Sequence, residues 1–327
     1  MRLTITMTSR ACFVFLLIAS FAVYGQKENK TVTIDKAFQP HPGALNFYLF
    51  GDWGRDGKAG QKKVSEVMDA AAKIEAPQFI VSTGDNFYPD GVQTATDKQW
   101  KTSFEDIYTG KGLQCPWYVV LGNHDYHGNP QAEIDYSSTS KRWNMPARYY
   151  VKSFPLGQQT SASIDMIFID TSPLHDEYYN EKDRRQVISQ DTTKQLRWID
   201  SVLMASKATW KFVIGHHSMY TGGKRIEDIQ FVRTHLEKIF IKNNVDFYLC
   251  GHEHDLQFIK PKGRTTYLVS GAGSEVRPTG NLPYTKFAAA TNGFMALSVT
   301  NDTVFVDVLD VAGKVIYSSK VDRLQQN

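Results

Sequence analysis

Five short apolar runs in this 327-residue chain each end in a glycine that is followed at once by a carboxylate, amide or imidazole side chain. Such runs predict short buried strands, and polar residues placed directly after them lie in the crevice where open α/β sheets bind ligands. A Gly-Asp-Asn sequence alone is common turn chemistry, but its repetition favours one shared site. The five motifs are Gly84-Asp85-Asn86-Phe87-Tyr88, Gly51-Asp52, Gly122-Asn123-His124-Asp125, Gly215-His216-His217 and Gly251-His252-Glu253-His254.

Strands and helices alternate over the first 250 residues, and the remainder is β-rich. This order predicts one α/β domain with a large mixed sheet system. The charged, tyrosine-bearing stretch 171–190 lacks periodicity and is long enough to be a lid or mobile loop. Strands are predicted at 45–50, 78–82, 116–121, 164–169, 210–214, 246–250, 257–260, 265–269, 294–299, 304–309 and 314–318. Helices are predicted at 58–75, 95–108, 191–205 and 229–241, with weak helical character over 127–148.

The N-terminus has the composition of a targeting segment. Arg2 and Arg10 precede the apolar run 11–23, and Val23-Tyr24-Gly25 resembles a small-residue cleavage site. Because the run is short and polar residues follow it, we predict a secretory signal rather than a membrane anchor, and a secreted or periplasmic protein. The predicted organisation is a signal peptide at 1–25, an extended lead-in at 26–44, a catalytic domain at 45–320 and a C-terminal tail at 321–327.

Charge and cysteine content limit the partners. A net charge of +3 with 22% charged residues is close to neutral, which argues against a broad nucleic-acid-binding surface. We therefore expect no nucleic-acid partner, and we also expect no membrane contact after signal cleavage and a monomer.

Cys115 and Cys250 would survive cleavage, and their apolar contexts suit either free buried thiols or a disulfide.

The side chains after the glycines are of metal-ligand type. A lone histidine at a strand end is usually structural, but five of the nine histidines fall in these motifs. His252 and His254 are two residues apart, which places them on one face of an extended backbone. Seven ligands exceed a tetrahedral zinc site but suit two metals that share Asp85. The candidates are Asp52, Asp85, Tyr88, Asn123, His216, His252 and His254.

Charge balance indicates which two metals these seven ligands would hold. One trivalent and one divalent cation against Asp52, Asp85 and an ionised Tyr88 leave a charge of about +2, which suits a phosphate dianion. A phenol with an ordinary pKa near ~10 is ionised at acidic pH only by a strong Lewis acid. Tyr88 therefore points to ferric iron.

At these residues the chain resembles the purple acid phosphatases, within the calcineurin-like metallophosphoesterases, and above all their small tartrate-resistant acid phosphatase branch. The likeness extends from about residue 45 to 320, and the tyrosine of the second motif is specific to this family. The matching motifs are Gly51-Asp52-Trp53-Gly54, Gly84-Asp85-Asn86-Phe87-Tyr88, Trp117-Tyr118, Gly122-Asn123-His124-Asp125, Ser140-Lys141-Arg142-Trp143-Asn144, Gly215-His216, Leu249-Cys250-Gly251-His252 through Gln257, and Ser270-Gly271-Ala272-Gly273.

The resemblance implies a four-layer α-β-β-α sandwich and a secreted acid phosphatase that hydrolyses phosphate monoesters, or phosphoproteins, through a metal-bound hydroxide. It implies Fe(III) held by Asp52, Tyr88 and His254. A divalent Fe, Zn or Mn would be held by Asn123, His216 and His252, and Asp85 would bridge the two. His124 would contact the substrate phosphate and protonate the leaving alkoxide, and Asp125 would either orient His124 or act as a turn carboxylate.

One departure concerns the second active-site histidine that mammalian members of that branch carry nine residues beyond the one matched by His216. Arg225 stands there, and we predict that it binds the substrate phosphate. His217 directly follows His216, so on a strand it would point away from the site. Two further readings stay open: a phosphodiesterase or nucleotidase with the same metals, and a metal-holding binding module without catalysis.

Overall fold

Two seven-stranded mixed sheets form the centre of the fold. The structure is a computed structural model that describes residues 32–157 and 161–323, so the predicted signal peptide at 1–25 lies outside the described residues. The strands are β1 Leu45–Phe50, β2 Phe79–Ser82, β3 Trp117–Val119, β4 Trp143–Asn144, β5 Tyr150–Pro155, β6 Ser163–Phe168, β7 Trp210–Ile214, β8 Phe247–Cys250, β9 Leu256–Ile259, β10 Thr266–Ser270, β11 Thr285–Ala289, β12 Gly293–Val299, β13 Thr303–Asp310 and β14 Val315–Asp322.

The strand order brings parallel strand ends together. The first sheet runs β14-β13-β12-β1-β2-β3-β4, and the second runs β11-β9-β10-β8-β7-β6-β5. Strands β1, β2 and β3 are parallel neighbours in one sheet, and β6, β7 and β8 are parallel neighbours in the other. Since ligands of parallel sheets bind at the carboxyl ends of the strands, this order creates the crevice that the motifs predict.

Helices cover the outer faces of the two sheets. They are α1 Gln61–Ala71, α2 Pro130–Tyr136, α3 Thr192–Ala205 and α4 Ile229–Lys242. Alternate residues of β7 show the layering, because Phe212 and Ile214 belong to the large core that both sheets share, whereas Val213 packs with residues of α3 and α4. On the first sheet, α1 contacts β12. The predicted four-layer α-β-β-α sandwich is confirmed.

Tertiary packing changes several local predictions. The predicted helix at 95–108 is reduced to a π-helical segment, Trp100–Glu105, whose Trp100 ring stacks on Tyr136 at 3.6 Å. The 127–148 region contains α2 and the short β4. The predicted irregular loop 171–190 instead folds into three 3₁₀ segments: Ser172–Leu174, Asp176–Asn180 and Lys182–Ser189.

The fold answers the question that the sequence left open for the two cysteines. Cys115 and Cys250 are free thiols, so the disulfide alternative is wrong. Within residues 32–157 and 161–323, the helices are all too short or too polar to cross a membrane.

Candidate metal centre

The predicted ligands lie at the carboxyl ends of the central strands. Asp52 comes two residues after β1 and Asp85 three after β2, and His252 comes two after β8. These three residues have positive φ angles of 59°, 49° and 67°. A non-glycine residue in this conformation carries about 1–3 kcal/mol of strain and persists where the surroundings demand a particular side-chain direction. Three strained residues on three different strand ends mark one functional site.

The glycines of the motifs let the backbone approach the carboxylates. A Cβ atom added to Gly122 would lie 2.2 Å from Asp85 Oδ1, and one added to Gly251 would lie 2.3 Å from Asp52 Oδ2. Neither distance can be accommodated without moving a ligand, so only glycine fits at these two positions.

One group of candidate ligands surrounds the Tyr88 hydroxyl. Its oxygen lies 2.7 Å from Asp85 Oδ2, 3.1 Å from Asp52 Oδ1 and 3.2 Å from His254 Nε2. His254 Nε2 also lies 3.4 Å from Asp52 Oδ1. All four side chains are buried. The structure therefore brings together the ligand set that the resemblance assigns to ferric iron.

The second group consists of His216, His252 and Asn123. His216 Nδ1 lies 2.9 Å from the Thr83 carbonyl, to which it must donate a proton, so in the neutral imidazole the lone pair is on Nε2. His252 Nε2 lies 3.4 Å from Asp228 Oδ2, which leaves the lone pair on Nδ1. This arrangement, a carboxylate or carbonyl that fixes the tautomer of an imidazole, is typical of metal-ligating histidines.

The Asn123 amide completes this second group. Its oxygen faces His216 Nε2 at 3.2 Å and also faces His252 Nδ1, so three lone pairs point at one another when both imidazoles are neutral. That contact is relieved by positive charge, either a proton on His216 Nε2 or a cation between the three atoms. Exchanging the two ends of the amide would turn it into a donor to both imidazoles, at 3.2 and 3.0 Å. The oxygen-inward orientation is the one that suits a divalent cation.

Asp85 connects the two groups. Its Oδ2 faces Tyr88, whereas its Oδ1 lies 3.5 Å from His216 Nε2 and accepts a hydrogen bond of 2.7 Å from the His124 backbone N–H. Burial alone would raise the pKa of Asp85, but His216 and His124 outweigh it and hold the pKa well below the usual range. An ionised carboxylate with one oxygen toward each group is the geometry that two metals would share.

The remaining pKa shifts reflect burial and the two carboxylates Asp52 and Asp85. Burial raises the pKa of Tyr88 well above its usual value, and the charges of Asp52 and Asp85 raise it further. Burial lowers the pKa of His216, but Asp85 and Asp52 more than offset this and raise it to about 9. Burial, followed by His216 and Arg225, lowers the pKa of His252, so this imidazole is neutral, as a ligand must be. The donor set therefore fits two cations.

The neighbouring motif residues have separate roles. His124 Nδ1 lies 2.6 Å from the Pro89 carbonyl, which leaves Nε2 of the partly exposed ring free for a substrate. Asp125 instead accepts hydrogen bonds from the backbone N–H groups of Gly122, Asn86 and Phe87 at 2.8, 2.9 and 3.2 Å. Of the two roles left open for Asp125, the contacts favour the turn carboxylate.

The Asp125→Ala variant should lose stability rather than chemistry. It would leave three backbone donors buried without an acceptor, which corresponds to a loss on the order of 3 kcal/mol in the free energy of unfolding. Urea denaturation would measure this loss. Asp97→Ala is a matched control, because Asp97 accepts two backbone N–H bonds at 3.1 and 3.0 Å but lies in a more exposed turn. Unchanged stability with a collapsed kcat would instead show that Asp125 orients His124.

Arg225 and His217 differ from expectation in their positions. Arg225 Nη1 lies 3.3 Å from Asp228 Oδ2, so it reaches the site through the carboxylate that orients His252. The prediction that His217 points away is wrong, because β7 ends at Ile214 and strand alternation no longer applies. Its ring lies 4.4 Å from that of His252, and it is held by Thr171 Oγ1 and Tyr178 at 2.9 Å each.

Three contributors to the site carry no motif that would have revealed them. Asp228 orients His252, as described above. The Arg55 guanidinium lies 3.7 Å over the Tyr88 ring. Arg184, from the 171–190 segment, places Nη2 at 3.3 Å from the Asn123 amide. Each belongs to a segment without strand periodicity. Only Arg55 lies beside a sequence signal, because it directly follows the motif that ends at Gly54.

Comparison with known proteins shows which sequences and structures this chain is similar to. A family model described as calcineurin-like phosphoesterase matches residues 45–256. The chain is 36% identical to purple acid phosphatase 7 of Arabidopsis thaliana over 86% of its length and 87% of the relative's. It is 31% identical to human tartrate-resistant acid phosphatase type 5, covering 86% and 91%. A solved structure described as GAP50, the anchor in the inner membrane complex of Plasmodium, superposes with a TM-score of 0.76 at 24% identity, covering 86% and 90%.

Proposed function

Because the chain belongs to the purple acid phosphatases of the calcineurin-like phosphoesterase family, and is therefore a metal-dependent phosphatase, we propose that it is secreted and hydrolyses phosphate monoesters at acidic pH with an Fe(III)–M(II) pair. The observation that carries this proposal is Asp85, which presents one oxygen to the Tyr88 group and the other to the His216 group. The predicted signal at 1–25 supports export of the catalytic domain at 45–320.

The residues present divide between the two cations. Asp52, Tyr88 and His254 would hold Fe(III), and Asn123, His216 and His252 would hold Fe, Zn or Mn in the divalent state. When bound, such a pair supplies Lewis-acid catalysis, in which it lowers the pKa of water and neutralises charge on the phosphoryl group.

The chain's own side chains would handle the leaving group. His124 donates Nδ1–H to Pro89, so Nε2 is the ring nitrogen left to contact a bound ester. The His124 imidazole would donate an Nε2 proton to the departing alkoxide oxygen, which is general-acid catalysis. The expected substrates are small phosphate monoesters or phosphoproteins.

Hydrolysis of a chromogenic phosphate monoester beside the matching diester tests the proposal. The metal-loaded protein should cleave the monoester preferentially near pH 5 and lose activity when a chelator removes the metals. Preferential cleavage of the diester or of a nucleotide would assign the same site to a phosphodiesterase or nucleotidase. Absence of turnover with full metal content would indicate a binding module.

Replacing Arg225 by alanine should raise KM more than it lowers kcat. The guanidinium is about one-third exposed and already paired with Asp228, so we expect only a few-fold to roughly tenfold change. A fixed guanidinium holds a phosphate oxygen but does not deliver a proton near pH 5, so Arg225 should contribute to binding rather than to proton transfer. We therefore expect Arg225→His to be tolerated. Steady-state kinetics with metal content measured in parallel would check this, and an unchanged KM with a collapsed kcat would contradict it.

A further inference from the structure

The 171–190 segment brings a second arginine to the metal centre. The Arg184 side chain is 15% exposed, and its Nη2 atom lies 3.3 Å from the terminal amide atom of Asn123 that points away from the histidines. When the Asn123 oxygen faces His216 and His252, that outer atom is the NH₂ nitrogen. Arg184 Nη2 and the Asn123 nitrogen are then both hydrogen-bond donors at 3.3 Å, so no hydrogen bond forms between them.

Arg184 is fixed in this position by several contacts. Its guanidinium lies 4.4 Å from the centre of the Tyr178 ring, and Nη1 forms an ion pair with Glu181. Tyr178 in turn places its hydroxyl 2.9 Å from His217 Nε2. Gln186, two residues after Arg184, donates a hydrogen bond of 2.6 Å to the Gly128 carbonyl. This bond connects the segment to the loop after β3. A guanidinium held in this way loses little conformational freedom when it binds a ligand.

The hydrogen bonding of Arg184 is incomplete. Its Nε is buried and has no hydrogen-bond partner among the described residues. Together with Nη2 it forms an edge of two parallel donors, and the outward Asn123 amide nitrogen lies beside that edge. A forked pair of donors matches two oxygens of a phosphate, and a buried donor without an acceptor is unfavourable.

We propose that Arg184 binds the non-bridging oxygens of the substrate phosphate and sets the affinity of the site for phosphate. This inference rests on the proposed function, because it places the phosphate beside the metal ligand Asn123. It assigns the main arginine contact with the anion to the 171–190 segment, whereas Arg225 is already engaged by Asp228.

A purely structural role for Arg184 makes a different prediction. If the Asn123 amide were reversed, its oxygen would accept a hydrogen bond from Arg184 Nη2 at 3.3 Å, and the arginine would support Asn123 instead of the substrate. Loss of Arg184 would then weaken metal binding. Loss of a phosphate contact would leave metal content unchanged, so metal analysis separates the two roles.

The test compares Arg184→Gln, Arg184→Lys and the control Lys182→Gln, each loaded with iron and zinc. Lys182 is an exposed cation of the same segment, so the control removes the same charge without touching the site. Isothermal titration with inorganic phosphate should give a Kd weakened by roughly 10- to 100-fold for Arg184→Gln, with metal content unchanged. The lysine variant should be intermediate, because it keeps the charge but loses the fork, and Lys182→Gln should stay within about twofold of the wild type.

Three outcomes would overturn the inference: equal phosphate affinity of wild type and Arg184→Gln, loss of metal from Arg184→Gln, or an equal loss of affinity in Lys182→Gln. A different result would contradict the proposed function: the metal-loaded wild type would bind phosphate but cleave no phosphate ester. In that case the titrations still decide whether Arg184 binds the anion, since they require no turnover.

Discussion

His252→Ala should strip the divalent metal from the protein and lower kcat by more than about 100-fold. Even the removal of an outer hydrogen-bond partner of a metal ligand typically costs 10–100-fold in metal affinity or activity, and His252 is itself a proposed ligand. Its neutral ring presents Nδ1 to the Asn123 oxygen and His216 Nε2, the latter at 3.2 Å. Without it, the second group retains two terminal ligands and the Asp85 oxygen.

Metal analysis and kinetics on the same sample would measure this effect. The matched control is His235→Ala, which removes a partly exposed imidazole from α4 and should leave metal content and kcat unchanged. Because His252 has a positive φ, alanine there also retains backbone strain, so circular dichroism should accompany the assay. If a folded His252→Ala protein keeps full activity and metal content, the proposed ligand set is wrong.

The strand-end motifs made most of the fold predictable. An apolar, β-branched run that ends in glycine and a polar residue carries two signals at once, the buried strand and the direction of its carboxyl end. Both signals are local in sequence, so the positions of Asp52, Asp85 and His216 at the strand ends could be predicted directly. The structure adds the reason for the glycines, which is the close approach of Gly122 and Gly251 to the carboxylates.

The elements that escaped prediction lack such local signals. Strand β5 is mostly exposed and β11 is only partly buried, so neither shows a clean apolar pattern. They exist because each pairs with a neighbouring strand, β6 and β9 respectively. Arg184 and Asp228 reach the site through non-local packing of the same kind. Only the fold brings them beside Asn123 and His252, which are far away in sequence.

The spectrum of the protein should depend on a single phenol. A phenolate bound to ferric iron transfers charge to the metal and absorbs visible light, so we expect the iron-loaded protein to be coloured and Tyr88→Phe to lose the band. The Tyr88 hydroxyl lies within 3.2 Å of Asp85, Asp52 and His254, so its oxygen is shared by the three other side chains that would surround the iron. Tyr48→Phe is the control, because the Tyr48 hydroxyl is also buried but donates to the Glu75 carbonyl.

Activity and colour should separate in the Tyr88→Phe protein. Burial and two carboxylates raise the pKa of Tyr88, so its ionisation requires a strongly Lewis-acidic cation, and zinc or magnesium alone would give no visible band. Asp52, Asp85 and His254 remain to hold the iron in the variant, and activation of water depends on the metals, so measurable phosphatase activity should persist. A colourless wild type with stoichiometric ferric iron, or an unaltered band in Tyr88→Phe, would remove Tyr88 from the metal site and with it the argument for ferric iron.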